Sequence, residues 1–112
     1  MTSSAGSADG REQVAVSIAM PHHLRRLAQV TGEVVVQTAT PATVGAALTA
    51  LEDAHPTLRG TVRDRTDGRR RPMIRIYADG EDLSDAPADT ELPAAVVAGR
   101  EPLRLVGAIA GG

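Results

Sequence analysis

The chain has 112 residues, no Cys, no Phe, no Trp and one Tyr, and its 12 basic and 14 acidic residues leave a formal net charge of -2. That length suits one domain, which can bury well over half of its unfolded surface and fold alone. Zero Cys removes disulfides, thiolate metal sites, iron–sulfur clusters and thiol nucleophiles, the near-balanced charge gives no general attraction to nucleic acid or membrane, and no apolar run reaches the length of a membrane span.

Residues 1–12 are Ser, Ala, Gly and charged residues without periodicity. They carry too little apolar surface to offset the entropy of ordering, so they read as a disordered lead to a folded domain over 13–108. Residues 13–20 alternate Val14, Val16, Ile18 and Met20 with Ala15, Ser17 and Ala19, the period of a strand. Pro21 ends that strand because it has no amide to donate. Residues 22–29 read as a connector with Leu24 and Leu27 tucked under the sheet, and Gly32 supplies a turn. Residues 33–38, with Val34, Val35 and Val36, are a second strand, and two strands so close in sequence pair antiparallel.

A helix follows. Thr43 is its N-cap, worth about 1 kcal/mol through its hydroxyl. Val44, Ala47, Leu48, Leu51 and His55 fall at helical spacing on one face, with Glu52 and Asp53 on the other. Pro56 disfavours a helical His55 and stops the helix there. The connector 57–72 has a core over 63–71 with five Arg and two Asp, too polar to be buried. Residues 73–78 form a third strand, with Ile74 and Ile76 on one side and Met73 and Arg75 on the other. Asp79-Gly80 is the signature of a type I′ turn, leading into a short partner strand over 81–83. A loop over 84–90, a turn of helix within 92–98 and a last strand over 102–108 complete the domain, with Leu103 and Leu105 facing in and Arg104 out.

The chain then stops on a narrow tail, Ile109-Ala110-Gly111-Gly112, which offers backbone, little side chain and one terminal carboxylate. The order strand, strand, helix, strand, short strand, strand predicts an α+β fold: a β-grasp with a mixed four- to five-stranded sheet covered by one main helix. A ferredoxin-like fold would need two full crossover helices. The last strand is expected parallel and adjacent to the first, with the tail free at one sheet edge.

With these elements placed, the chain resembles the MoaD/ThiS-like ubiquitin-like sulfur-carrier family. This family includes the molybdopterin-synthase small subunit, the thiamine sulfur carrier and the carrier of a cysteine-synthesis route. The residues that carry the resemblance are Thr43-Val44-Gly45-Ala46-Ala47-Leu48 and Ala54-His55-Pro56 at the two ends of the helix, and Asp79-Gly80-Glu81-Asp82 at the turn. Thr90-Glu91-Leu92, Gly99-Arg100-Glu101 and Gly107-Ala108-Ile109-Ala110-Gly111-Gly112 complete the set. The departures are Arg100 for an acid, Asp79 for Asn, Gly107 for Pro, and the long Arg-rich connector.

The resemblance implies a carrier with no catalytic side chain of its own. A ubiquitin-activating-like adenylyltransferase would use ATP to adenylate Gly112. A sulfurtransferase or other sulfur donor would displace AMP to leave a thiocarboxylate, and a downstream synthase would accept the sulfur. Gly111, Ala110 and Ile109 would be the tail recognised by those enzymes. Independently of the resemblance, Arg69, Arg70, Arg71 and Arg104 are a candidate docking patch for an acidic partner, the alternative being a solvated loop. No bound cofactor, nucleic acid or membrane is expected, and the cytoplasm is the expected location. The alternatives are a ubiquitin-like modifier joined through Gly112 to target lysines, and a non-covalent interaction module.

The other candidates carry less. His22, His23 and His55 have no Cys and no acidic residue at ligand spacing, which leaves them structural rather than metal-binding. The Arg cluster is diluted by Asp64 and Asp67 and has no interleaved aromatic for base stacking. Asp82, Asp85, Asp89 and Glu91 lack the spacing and central Gly of an EF-hand. All basic residues are Arg, a pattern that coding bias in a GC-rich genome explains, and it leaves no side-chain amine on which copies of the chain could be joined.

Overall fold

The computed structural model describes residues 12–107; the lead up to residue 11, and Ala108 with the tail 109–112, lie outside the described residues. The elements are β1 (Gln13–Ala19), α1 (His22–Ala28), β2 (Val34–Ala39), α2 (Val44–Ala54), β3 (Ile74–Ala78), β4 (Glu81–Asp82), α3 (Ala94–Val97) and β5 (Leu103–Gly107), with a 3₁₀ turn at Pro56–Leu58 after α2. They form one mixed five-stranded sheet in the order β2-β1-β5-β3-β4. β1 and β2 are antiparallel, with Val16 opposite Val36, and β1 and β5 are parallel, with Ile18 opposite Leu103. β5 and β3 are antiparallel, with Leu105 opposite Ile76. The expected α+β β-grasp is the observed fold.

The strand alternation works as read. Val16, Ile18, Val36, Ile74, Ile76, Leu103 and Leu105 are buried on one sheet face, against Val44, Ala47, Leu48 and Leu51 of α2. The Thr43 hydroxyl accepts a hydrogen bond from the Ala46 amide at 3.1 Å, as an N-cap does. Asp79 and Gly80 both have positive φ, 51° and 77°, and Ala78 pairs with Glu81 across them, the geometry a type I′ turn requires.

Three expectations are corrected. Residues 22–28 are a helix, not a connector, and only Leu24 is tucked in; Leu27 is 43% exposed. Pro21 frees the chain from the sheet, and three residues along a helix carry Leu27 about 60° around from the inward-facing Leu24. Glu52 is buried rather than outward, because Arg63 folds back and grips it with two hydrogen bonds, at 2.6 and 3.1 Å. The connector is also less exposed than its polarity suggests. Leu58 and Val62 are fully buried, and Arg63 and Arg70 keep only 20% and 19% of their side-chain surface. A guanidinium can be covered when several of its donors are satisfied at fixed geometry.

The first turn of α2 is stitched to the 88–92 loop. The Val44 and Gly45 amides donate to the Thr90 and Ala88 carbonyls at 2.9 and 2.8 Å, and the Leu92 amide donates to the Ala42 carbonyl at 3.0 Å. The approach is so close that a Cβ on Gly45 would stand 2.9 Å from the Ala88 carbonyl oxygen. At the other end of the sheet, Asp82 receives the Ser84 amide at 2.9 Å and Arg75 at 2.6 Å. The Ser84 hydroxyl and amide, with the Arg75 guanidinium, hold the Asp82 carboxyl down to about 2.

These contacts have measurable consequences. Gly45→Ala should destabilise by about 1–3 kcal/mol in urea unfolding despite alanine's better helix propensity, because the new methyl meets backbone that cannot move aside. Arg63→Met should lose about 2–3 kcal/mol by leaving the Glu52 carboxylate covered and unpaired, and Glu52→Leu with Arg63→Met should lose less than Arg63→Met alone. The Asp82 pKa is depressed, so its ionised form stabilises the fold above the ordinary carboxylate value, and that contribution disappears as pH falls toward 2. Between about pH 4 and pH 2 the urea midpoint of Asp82→Asn should therefore fall less than that of the parent chain.

Candidate functional site

The site is the end of β5, because that strand delivers the chain to residues 108–112. β5 is the third of five strands; the expected free tail at a sheet edge falls on residues 108–112, outside the described residues. Its two neighbours do not flank it equally. On one side β3 pairs along its whole length, with Ile76, Arg75 and Ile74 opposite Leu105, Val106 and Gly107. On the other side β1 reaches only Leu103 and Arg104. β1 ends at Ala19, Pro21 has no amide for a ladder, and α1 begins at His22. The final residues of β5 thus have a strand on one side and the first turn of α1 on the other.

His23 stands at that junction. A Cβ built on Gly107 would lie 3.1 Å from His23 Cε1 and 3.9 Å from its Nδ1. The imidazole therefore lies in tight contact with the position a side chain at 107 would take. This residue was read from the sequence only as a weak metal candidate. The signal that could have found it was Gly107 standing where the resembled family has Pro.

The four tail residues read as the site, Ile109, Ala110, Gly111 and Gly112, lie outside the described residues. The four arginines read as a docking patch are not one surface. Arg70 turns inward: its guanidinium donates to the Ser84, Ile74 and Arg71 carbonyls at 2.8, 2.7 and 3.1 Å, and reaches Asp85 at 3.2 Å. Arg71 donates to the Gly60 carbonyl at 2.8 Å and pairs with Asp64 at 3.5 Å. Arg69 is exposed and makes no side-chain hydrogen bond among the described residues. Arg104 is exposed on the outer face of the sheet, opposite Ala19 and Tyr77 and two positions from the half-exposed Val106.

The Arg-rich connector owes its shape to Asp64. Its carboxylate accepts the Thr66 and Asp67 amides at 2.7 and 3.3 Å, and those amides, helped by Arg71, hold it below the usual carboxylate range. Between this loop, the first turns of α2 and the 83–88 loop lies a concavity of about 390 Å³. Its floor is apolar, from Leu48, Ile76 and Leu83, and Arg63, Arg69 and Arg70 stand around it. The α2 amides that border it, Val44 and Gly45, already donate to the protein's own carbonyls, so the helix end offers an anion nothing there. Asp82 and Asp85, read as loop carboxylates, pair with Arg75 and Arg70. Among the described residues, no three His, Asp or Glu side chains converge as metal ligands would, and no helix is long and apolar enough to cross a membrane.

No family model and no curated protein sequence matches the chain. Solved structures do. SAMP1 from Haloferax volcanii is 28% identical with a TM-score of 0.68, over 88% of this chain and 99% of that one. A chain of the Amycolatopsis orientalis BexX/CysO complex is 20% identical with a TM-score of 0.66, over 87% of this chain and 99% of that one. Mycobacterium tuberculosis CysO is 20% identical with a TM-score of 0.63, over 84% and 99%. A structure of the H. volcanii small archaeal modifier protein 1 is 28% identical, with a TM-score of 0.65 over 82% of this chain and 94% of that one. The chain has the ubiquitin-like β-grasp fold, shared with the CysO structures and, at 28% identity, with a small archaeal modifier protein.

Proposed function

We propose that this protein is a sulfur carrier that acts through the carboxylate of Gly112. The observation that carries the reading is the place of β5, paired with β1 and β3 in the middle of the sheet and followed in sequence by Ala108-Ile109-Ala110-Gly111-Gly112. A rigid domain then presents a tail of backbone width, and glycine admits whatever backbone path a narrow channel imposes. The likeness to CysO supports the fold this needs.

The chemistry follows from the poor leaving group of a carboxylate. One Gly112 oxygen attacks the α-phosphorus of ATP on a ubiquitin-activating-type adenylyltransferase and releases pyrophosphate. A sulfur nucleophile from a sulfurtransferase or other donor then attacks the carbonyl carbon. The carbon–oxygen bond to AMP breaks as the carbon–sulfur bond forms. The resulting thiocarboxylate is an ionised, soft nucleophile, and a downstream synthase accepts its sulfur. ATP is bound by the activating enzyme and not by this chain, which is a co-substrate. Arg104 and Arg69, with guanidiniums free of internal hydrogen bonds among the described residues, are the members of the Arg set available to such partners.

A second reading, a protein modifier, shares the adenylation but ends in an isopeptide to a lysine of another protein. It is favoured by the 28% likeness to a small archaeal modifier protein. The two separate by mass spectrometry. After incubation with activating enzyme, ATP and sulfide, the intact chain should carry one sulfur in place of one oxygen. Unchanged carboxylate alone would defeat the carrier reading. Gly112 remnants on lysines of other proteins in a cell lysate would select the modifier. A chain lacking Gly112 that folds and still functions would defeat both in favour of a non-covalent interaction module.

A further inference from the structure

We infer that His23 is a specificity-determining residue at the root of the tail, read by the enzyme that takes Gly112. The inference rests on the carrier reading and names what its partner must recognise. Gly107 does not have a positive φ, unlike Gly60, Gly68, Gly80 and Gly99, so no backbone angle demands glycine there. What its missing Cβ provides is room for His23, whose Cε1 sits 3.1 Å from where that atom would be. A side chain at 107 would crowd the imidazole, which would have to give way by a few tenths of an ångström. β1 stops short of this point, pairing only with Leu103 and Arg104, and leaves Gly107 open to the first turn of α1.

His23 is exposed and shares a shallow hollow with Arg26 and Leu27. Leu27 is 43% exposed, and Arg26 makes no ion pair among the described residues. Residues 108–112 extend at most about 18 Å from Gly107, so an enzyme holding Gly112 lies within that distance of the imidazole. The counter-surface that fits is an acidic side chain facing His23 and Arg26, beside an apolar contact for Leu27.

The test pairs a partner-free measurement with a kinetic one. In the free protein, NMR should show a nuclear Overhauser effect between the His23 Cε1 proton and the Gly107 α-protons; its absence overturns the contact. In ATP–pyrophosphate exchange with the activating enzyme of the same cell, His23→Ala and Gly107→Ala should each raise KM for the carrier about tenfold with kcat unchanged. The double variant should be no worse than the poorer single, because both changes remove one contact. Urea midpoints should stay at the parent value, and His23→Phe should restore only the part of KM that the ring's packing supplies. Single variants within about twofold of the parent KM, or a double variant losing the product of two effects, overturn the inference alone. No exchange with the parent chain overturns the carrier reading and this inference with it.

Discussion

The parallel pairing of β1 with β5 is the constraint on which the rest of the structure depends. A strand at the end of a chain is easily left at a sheet edge, where its unpaired backbone invites other strands. Here Ile18 opposite Leu103 draws the last strand into the middle, and both residues are fully buried. Parallel neighbours cannot be joined by a tight turn. The intervening chain must therefore cross over, and α2 covers the inner face as it does so. The pairing that makes β5 central also makes it hard to displace. Pulling on its end works against ladders on two sides and against the burial of Leu103 and Leu105.

The short overlap of that pairing is as important as its existence. Because β1 pairs with only the first two residues of β5, His23 of α1 can approach the strand at Gly107. A helix presents side chains where a strand would present backbone. This substitution brings His23 against Gly107, and with it a feature chemically distinct from the plain backbone of the tail.

The Arg-rich connector shows how internal demand removes charge from the surface. Arg63 neutralises the buried Glu52, while Arg70 and Arg71 cap carbonyls of β3 and neighbouring loops. Each donates to an oxygen of the protein itself rather than standing free at the surface. A run that looks like one basic patch becomes structural braces, with only Arg65 and Arg69 of its described arginines outside the network. The α2 N-terminus follows the same logic, since its leading amides are matched to the 88–92 loop rather than to a ligand. Two separated stretches of the family resemblance, at Thr43-Val44-Gly45 and Thr90-Glu91-Leu92, turn out to be neighbours in that seam.

Much of the fold was legible in the residues. Period-two runs located the strands, and Thr43, Pro56 and Asp79-Gly80 located the ends of α2 and the β3–β4 turn, because these signals act between residues adjacent in sequence. Even the β1–β5 pairing could be inferred, since few layouts bury every strand beneath one helix. Residues 22–28 were missed because seven residues carry less than two full turns of periodicity, and tertiary packing of Leu24 outweighs so weak a local preference. Glu52, Arg63 and Arg70 were misplaced for a different reason. Their burial depends on partners 11 to 15 positions away, and charge alone reads as exposure. The sequence by itself determined the strand alternation, the capped helix and the turn, all consequences of local stereochemistry and hydrophobic period. Only the tertiary structure decided which arginines remain free and what stands beside Gly107, because those outcomes depend on distances between segments that no local pattern encodes.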